Sequence, residues 1–133
     1  MKKFLSIFAF CLILSSLFVA NTSAQTNTPV FQVLTPKTDQ TLYGNKIPIL
    51  FNVEKFELVD KDQTTKALAG EGHILVWLDQ EAPTPENATK VVENTFIFSD
   101  VAYGQHTLKA ELVTTNNKSL TPPQMTTVSF KTE

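Results

Sequence analysis

Gly72-His73-Ile74-Leu75-Val76-Trp77-Leu78-Asp79 is the stretch on which the reading of the fold turns. From Ile74 to Leu78 the apolar residues run unbroken, so both parities of an extended chain are apolar. That pattern predicts a central strand covered on both faces. Outward from it, shorter segments repeat the β signal. Val30-Phe31-Gln32-Val33-Leu34 is β-branched and aromatic and is closed by Pro36. Residues 46–53 alternate, with Ile47, Ile49, Phe51 and Val53 opposite Pro48, Leu50 and Asn52. Pro48 lacks an amide donor, which predicts an edge position or a bulge there. Residues 95–98 form a short aromatic strand. Residues 105–113 alternate again, with His106, Leu108, Ala110 and Leu112 opposite Thr107, Lys109 and Glu111. Residues 125–131 close the series, with Val128 and Phe130 inward.

No segment carries a 3.6-residue period over three turns. Lys66-Ala67-Leu68-Ala69 comes nearest to helical composition, and Gly70 and Gly72 cut it short. About seven short strands parted by turn-rich segments predict an all-β fold. The expected form is an antiparallel β-sandwich of immunoglobulin or fibronectin-III type over 30–133. The antibody cysteine pair is absent. Two long connections, 57–71 and 80–93, are expected to be plain solvated loops.

The N-terminus reads differently. Met1-Lys2-Lys3 gives a basic tip, residues 4–20 carry no charge, and Asn21-Thr22-Ser23-Ala24 ends in small residues. These are the three parts of a cleavable secretory signal over 1–24, with a polar lead at 25–29 before the domain. As an uncleaved anchor the apolar run would be short against the ~20 residues of a membrane span. Cys11 lies inside it, and Phe10 is too bulky for a lipoprotein processing site. Cysteine occurs once in the sequence, so the processed chain has no disulfide to stabilise it.

Charge narrows the partners. The chain has 11 basic residues, all lysine, against 13 acidic ones. Losing Lys2 and Lys3 leaves nine against 13, a net charge of −4. An acidic surface without arginine suits neither a phosphate backbone nor an anionic membrane. Nucleic acid is not an expected partner, and no membrane span is expected once the signal is removed.

Catalytic patterns are missing. A serine or cysteine nucleophile needs an oriented base, and the sequence offers two histidines and no Gly-x-Ser-x-Gly, His-Glu-x-x-His or phosphate-cradling glycine loop. Asp60 with Asp62 and Asp79 with Glu81 are paired acids of the kind that glycoside hydrolysis uses, but they read as solvated loop residues. Asp60-x-Asp62 offers hard oxygens for calcium, without the glycine and distal glutamate of the full loop.

Gly72-His73-Ile74-Leu75-Val76-Trp77-Leu78-Asp79 resembles a strand of uncharacterised secreted bacterial proteins with a single immunoglobulin-like domain. Their pattern is Gly-His-x-His, then an aromatic, a leucine and an aspartate. Tyr103-Gly104-Gln105-His106-Thr107-Leu108 is similar to their later turn and strand. Asn116-Asn117-Lys118-Ser119-Leu120 is similar to their closing loop, often Asn-Asp-His-Ser-x-Leu. The resemblance spans roughly residues 47–130 and implies an exported immunoglobulin-like domain. The departures fall on the histidines: Leu75 stands at the second histidine of the strand and Lys118 at the loop histidine. A copper or zinc site of that pattern would keep His73 alone.

His106 does not replace the lost ligands. His73 opens one strand and His106 opens its antiparallel neighbour, which places them at opposite ends, ~15–20 Å apart at ~3.3 Å per residue. A metal–imidazole bond is ~2 Å. His106 is expected to be structural, holding the turn before its strand by a backbone hydrogen bond. Trp77 is expected to be structural too, like the buried tryptophan of immunoglobulin domains. A sugar-stacking platform would have only Trp77, Tyr43 and Tyr103 to draw on. The sequence therefore predicts a non-enzymatic, exported interaction or structural module, monomeric, with no cofactor and no metal. Its expected contact surface is His73, Asn116, Asn117 and Lys118, facing another envelope or extracellular protein. The alternative from a different class is a periplasmic copper- or zinc-binding protein with a degenerate histidine site.

Overall fold

A computed structural model describes residues 27–61 and 66–133. The expected signal segment 1–24, the first two residues of the lead 25–29, and Asp62 lie outside the described residues. The fold is all-β. Among the described residues nine strands follow in order: β1 (Val30–Thr35), β2 (Thr41–Leu42), β3 (Ile47–Glu54), β4 (Glu57–Leu58), β5 (Glu71–Leu78), β6 (Thr89–Val91), β7 (Thr95–Phe98), β8 (Gly104–Thr114) and β9 (Ser119–Thr132). A 3-10 turn, Pro85–Asn87, precedes β6.

The strands form two sheets. One has the order β1-β3-β7 and is antiparallel throughout. The other has the order β2-β9-β8-β5-β4, and β6 also pairs with β5. Alternation sets the inward faces, because a period of two puts every second residue on one side. Phe31, Ile47, Ile49 and Phe51 of the first sheet meet Ile74, Val76, Leu108, Leu112 and Phe130 of the second in a single buried cluster. Each such side chain contributes about 1.5–3 kcal/mol on burial, and Phe31 and Phe51 stack with centroids 5.9 Å apart. Phe96 and Phe98 pack edge to face at its margin.

Strand β5 explains its own composition. One edge pairs with β8 from Gly72 to Leu78, and the other carries β4 and then β6. Ile74 and Val76 enter the main core, while Leu75 and Trp77 form a second cluster with Val113 on the opposite face. Gly72 is where β8 comes closest: a Cβ there would lie 1.9 Å from the Val113 carbonyl oxygen.

Three expectations need correction. Strand β3 is the central strand of its sheet and not an edge, but its pairing with β1 stops at Leu50, so Pro48 faces only Ile97 of β7. The connections 57–71 and 80–93 are more than solvated loops: the first holds β4, and the second holds the 3-10 turn and β6. Trp77 is buried, but in the outer cluster and not in the core between the sheets.

Candidate functional site

The turn joining β8 to β9 is closed by its own backbone and side chains. Thr114 N–H donates to the Lys118 carbonyl at 2.9 Å, and Asn117 N–H donates to the Thr114 carbonyl at 3.0 Å. Asn117 is left-handed (φ 59°), a conformation asparagine tolerates better than most residues. Thr114 Oγ1 donates to Asn116 Oδ1 at 2.5 Å and accepts the Lys118 N–H at 3.1 Å. These bonds fix where the Asn117 amide points.

It points at His73. Strand pairing sets His73 opposite Val113, just before the turn, and His73 Nε2 donates to Asn117 Oδ1 at 2.6 Å. The imidazole is buried, and its Nδ1 has no hydrogen-bond partner among the described residues. Burial pushes its pKa below the usual histidine value; the Asn117 hydrogen bond works against this, with smaller opposed effects from Lys90 and Asp60. Lys90 Nζ in turn donates to Asp60 Oδ1 at 2.7 Å and holds that carboxyl below its ordinary range.

Of the four expected contact residues, the structure thus brings His73 and Asn117 together. Asn116 spends its carbonyl on Thr114 within the turn, and Lys118 is exposed. His106 lies at the far end of β8, seven residues from the Val113 that faces His73. Its Nδ1 is 2.7 Å from Asp79 Oδ2 and its Nε2 is 2.8 Å from the Ala102 carbonyl oxygen. Among the described residues, no three of His, Cys, Asp or Glu gather as a metal site would require.

Beside the turn, the outer face of the larger sheet is concave. Leu75 and Trp77 floor a hollow of about 360 Å³, with Met125 on one side and Pro83 and Pro85 on another. The prolines are held there because Trp77 Nε1 donates to the Thr84 carbonyl at 2.8 Å and to Asn87 Oδ1 at 2.9 Å. Asn87 Nδ2 also donates to the Ala82 carbonyl. Two neighbouring charges of β8, Lys109 and Glu111, line the hollow, as does Asn117.

The sequence pattern placed Lys109 and Glu111 on a solvent face and missed Glu111, which is only 7% exposed. Cross-strand register could have found it. Glu111 sits between Leu75 of β5 and Met125 of β9, so two apolar neighbours flank it.

Neither a family model nor a curated protein matches the sequence. The backbone is similar to a crystal structure of an engineered protein, with a TM-score of 0.52 and 11% identity. The match covers 80% of this chain but 20% of the other, so this chain spans about a fifth of that protein's length. The likeness is one of backbone arrangement alone.

Proposed function

We propose that this chain is an exported, non-enzymatic module of immunoglobulin type that works by contact with another envelope or extracellular protein. Strand order supports the architecture: β1-β3-β7 and β9-β8-β5 follow the A-B-E and G-F-C orders of an immunoglobulin sandwich. His106, near the start of β8, reaches back to Ala102 as a corner tyrosine does in such domains. The two imidazoles lie at opposite ends of the β5–β8 ladder, so they do not share a site.

The observation that carries the contact surface is Asn117. It closes the β8–β9 turn, bonds the buried His73 and lines the hollow on the outer face. The turn and the concave sheet are therefore one rigid surface, with Lys118 and Met125 exposed on it. Rigid surfaces bind without an ordering cost.

Crosslinking in the cells that export the protein tests this reading. A partner captured by the wild type should be lost with Lys118→Glu and with Met125→Glu, both at solvent-exposed positions. Identical captures from all three proteins would overturn it.

A further inference from the structure

We propose that the hollow on the outer face takes a free α-amino acid with an apolar side chain, bound as the zwitterion. This deepens the reading of that face as a binding surface and rests on it. The argument starts from Glu111. A carboxylate so nearly removed from water needs hydrogen-bond donors or an opposite charge. Its Oε1 accepts from Ser119 Oγ at 2.5 Å. Its Oε2 has no donor among the described residues, yet it is not among the buried atoms sealed from solvent. Glu111 itself lines the hollow.

Lys109 stands two residues away on the same face of β8 and also lines the hollow. No ion pair joins it to Glu111 or to any other acid among the described residues. Same-face residues on a strand are about 6.7 Å apart. In an α-amino acid the nitrogen and the carboxyl carbon are about 2.5 Å apart by ordinary bond lengths and angles. With a charge-assisted bond of about 2.8 Å at each end the span is about 8 Å, which the long, flexible Lys109 side chain can meet from a neighbouring same-face position. The ligand ammonium then completes Glu111, and its carboxylate meets the Lys109 ammonium. A ligand of one charge would leave one of the pair unanswered.

Of the remaining lining, Asn117, Ser119 and Thr127 are polar and the other side chains are apolar. Leu75 and Trp77 form the floor, Pro83 and Pro85 a wall, and Met125 an adaptable rim, as an unbranched thioether suits. A volume of about 360 Å³ lies at the small end of ligand sites. It suits one amino acid with a leucine- or phenylalanine-sized side chain.

The test is a titration of the purified protein with L-leucine, L-methionine and L-phenylalanine, followed by backbone amide resonances. Saturable shifts are expected at residues 109–111 and 125–127 and at the Trp77 indole. N-acetyl-L-phenylalanine amide, which lacks both charges, should bind at least about tenfold more weakly. Lys109→Met and Glu111→Gln keep the shapes of the side chains and should each weaken L-phenylalanine by a similar factor. The proposal is overturned by no shift at about 10 mM of any of the three amino acids, a concentration that would reveal even millimolar affinity. Equal binding of the amide overturns it as well, and so does indifference to both variants. Failure here alongside a protein partner that Met125→Glu abolishes would remove the ligand assignment and leave the contact surface standing. Amino-acid binding in a protein with no such partner would do the reverse.

Discussion

His73 shows what a single residue reveals and hides. Its place at the head of an apolar strand was legible, as was its position at the opposite end of the ladder from His106, because both follow from the strand period. Its partner was not legible as a bond: the Asn117 amide reaches it only because a left-handed turn aims it, and turn conformation leaves no periodic trace. The consequence is a pH dependence. Folded His73 gives up its proton more readily than the unfolded residue, whose value is near 6.5. Unfolded chains therefore take up protons first as the pH falls, and stability drops. The contribution of neutral His73 is complete above about pH 6.5 and is lost as the pH falls through the lower folded value. Asp60, one of the charges that act on the ring, is held below its ordinary range by the Lys90 ammonium bonded to it, so it does not mask the effect. Urea denaturation at about pH 7.5 and 5.0 should show a falling midpoint for the wild type and a flatter response for His73→Gln, whose amide can still donate to Asn117. Equal slopes would remove His73 as the cause.

At the scale of elements, the six principal strands were readable and β2, β4 and β6 were not. A strand of two or three residues has no period to detect; it exists because a neighbour offers an open edge. Connection 80–93 gained its order in the same way, from the Trp77 indole beneath it. Asn87→Ala should cost about 1–2 kcal/mol through the lost bonds to Trp77, Ala82 and the Thr84 amide. It should also shift the emission of the single tryptophan to longer wavelength. An unchanged spectrum would mean that the loop does not cover the ring. Gly72→Ala should be worse, because its new methyl meets the backbone of β8 and not a side chain that can swing away. About 1–3 kcal/mol of overpacking is the least expected, read as a lower urea midpoint with unchanged slope. The buried Glu111 escaped the sequence reading for a related reason: alternation tells which face a residue takes, not whether another segment covers that face.

For the whole molecule, composition gave the class and left the ligand open. The all-β architecture was legible because β-branched and aromatic alternation recurs through 30–131, while the hollow depends on sheet curvature and loop packing that no local pattern encodes. No helix among the described residues is long and apolar enough to cross a membrane. Export is expected to yield a product beginning at Gln25, and the intact mass of the protein recovered outside the cytoplasm checks this; a product retaining Met1 would refute the signal reading. One consequence follows from the position of β9. This 14-residue strand follows β1 to β8 in the chain, yet it lies between β2 and β8 and supplies Val128 and Phe130 to the core. The larger sheet cannot close while residues 119–132 are still within the ribosome. Until they emerge, β2 has no neighbour to pair with and the core lacks Val128 and Phe130, so the domain closes in one late step after its other strands are made.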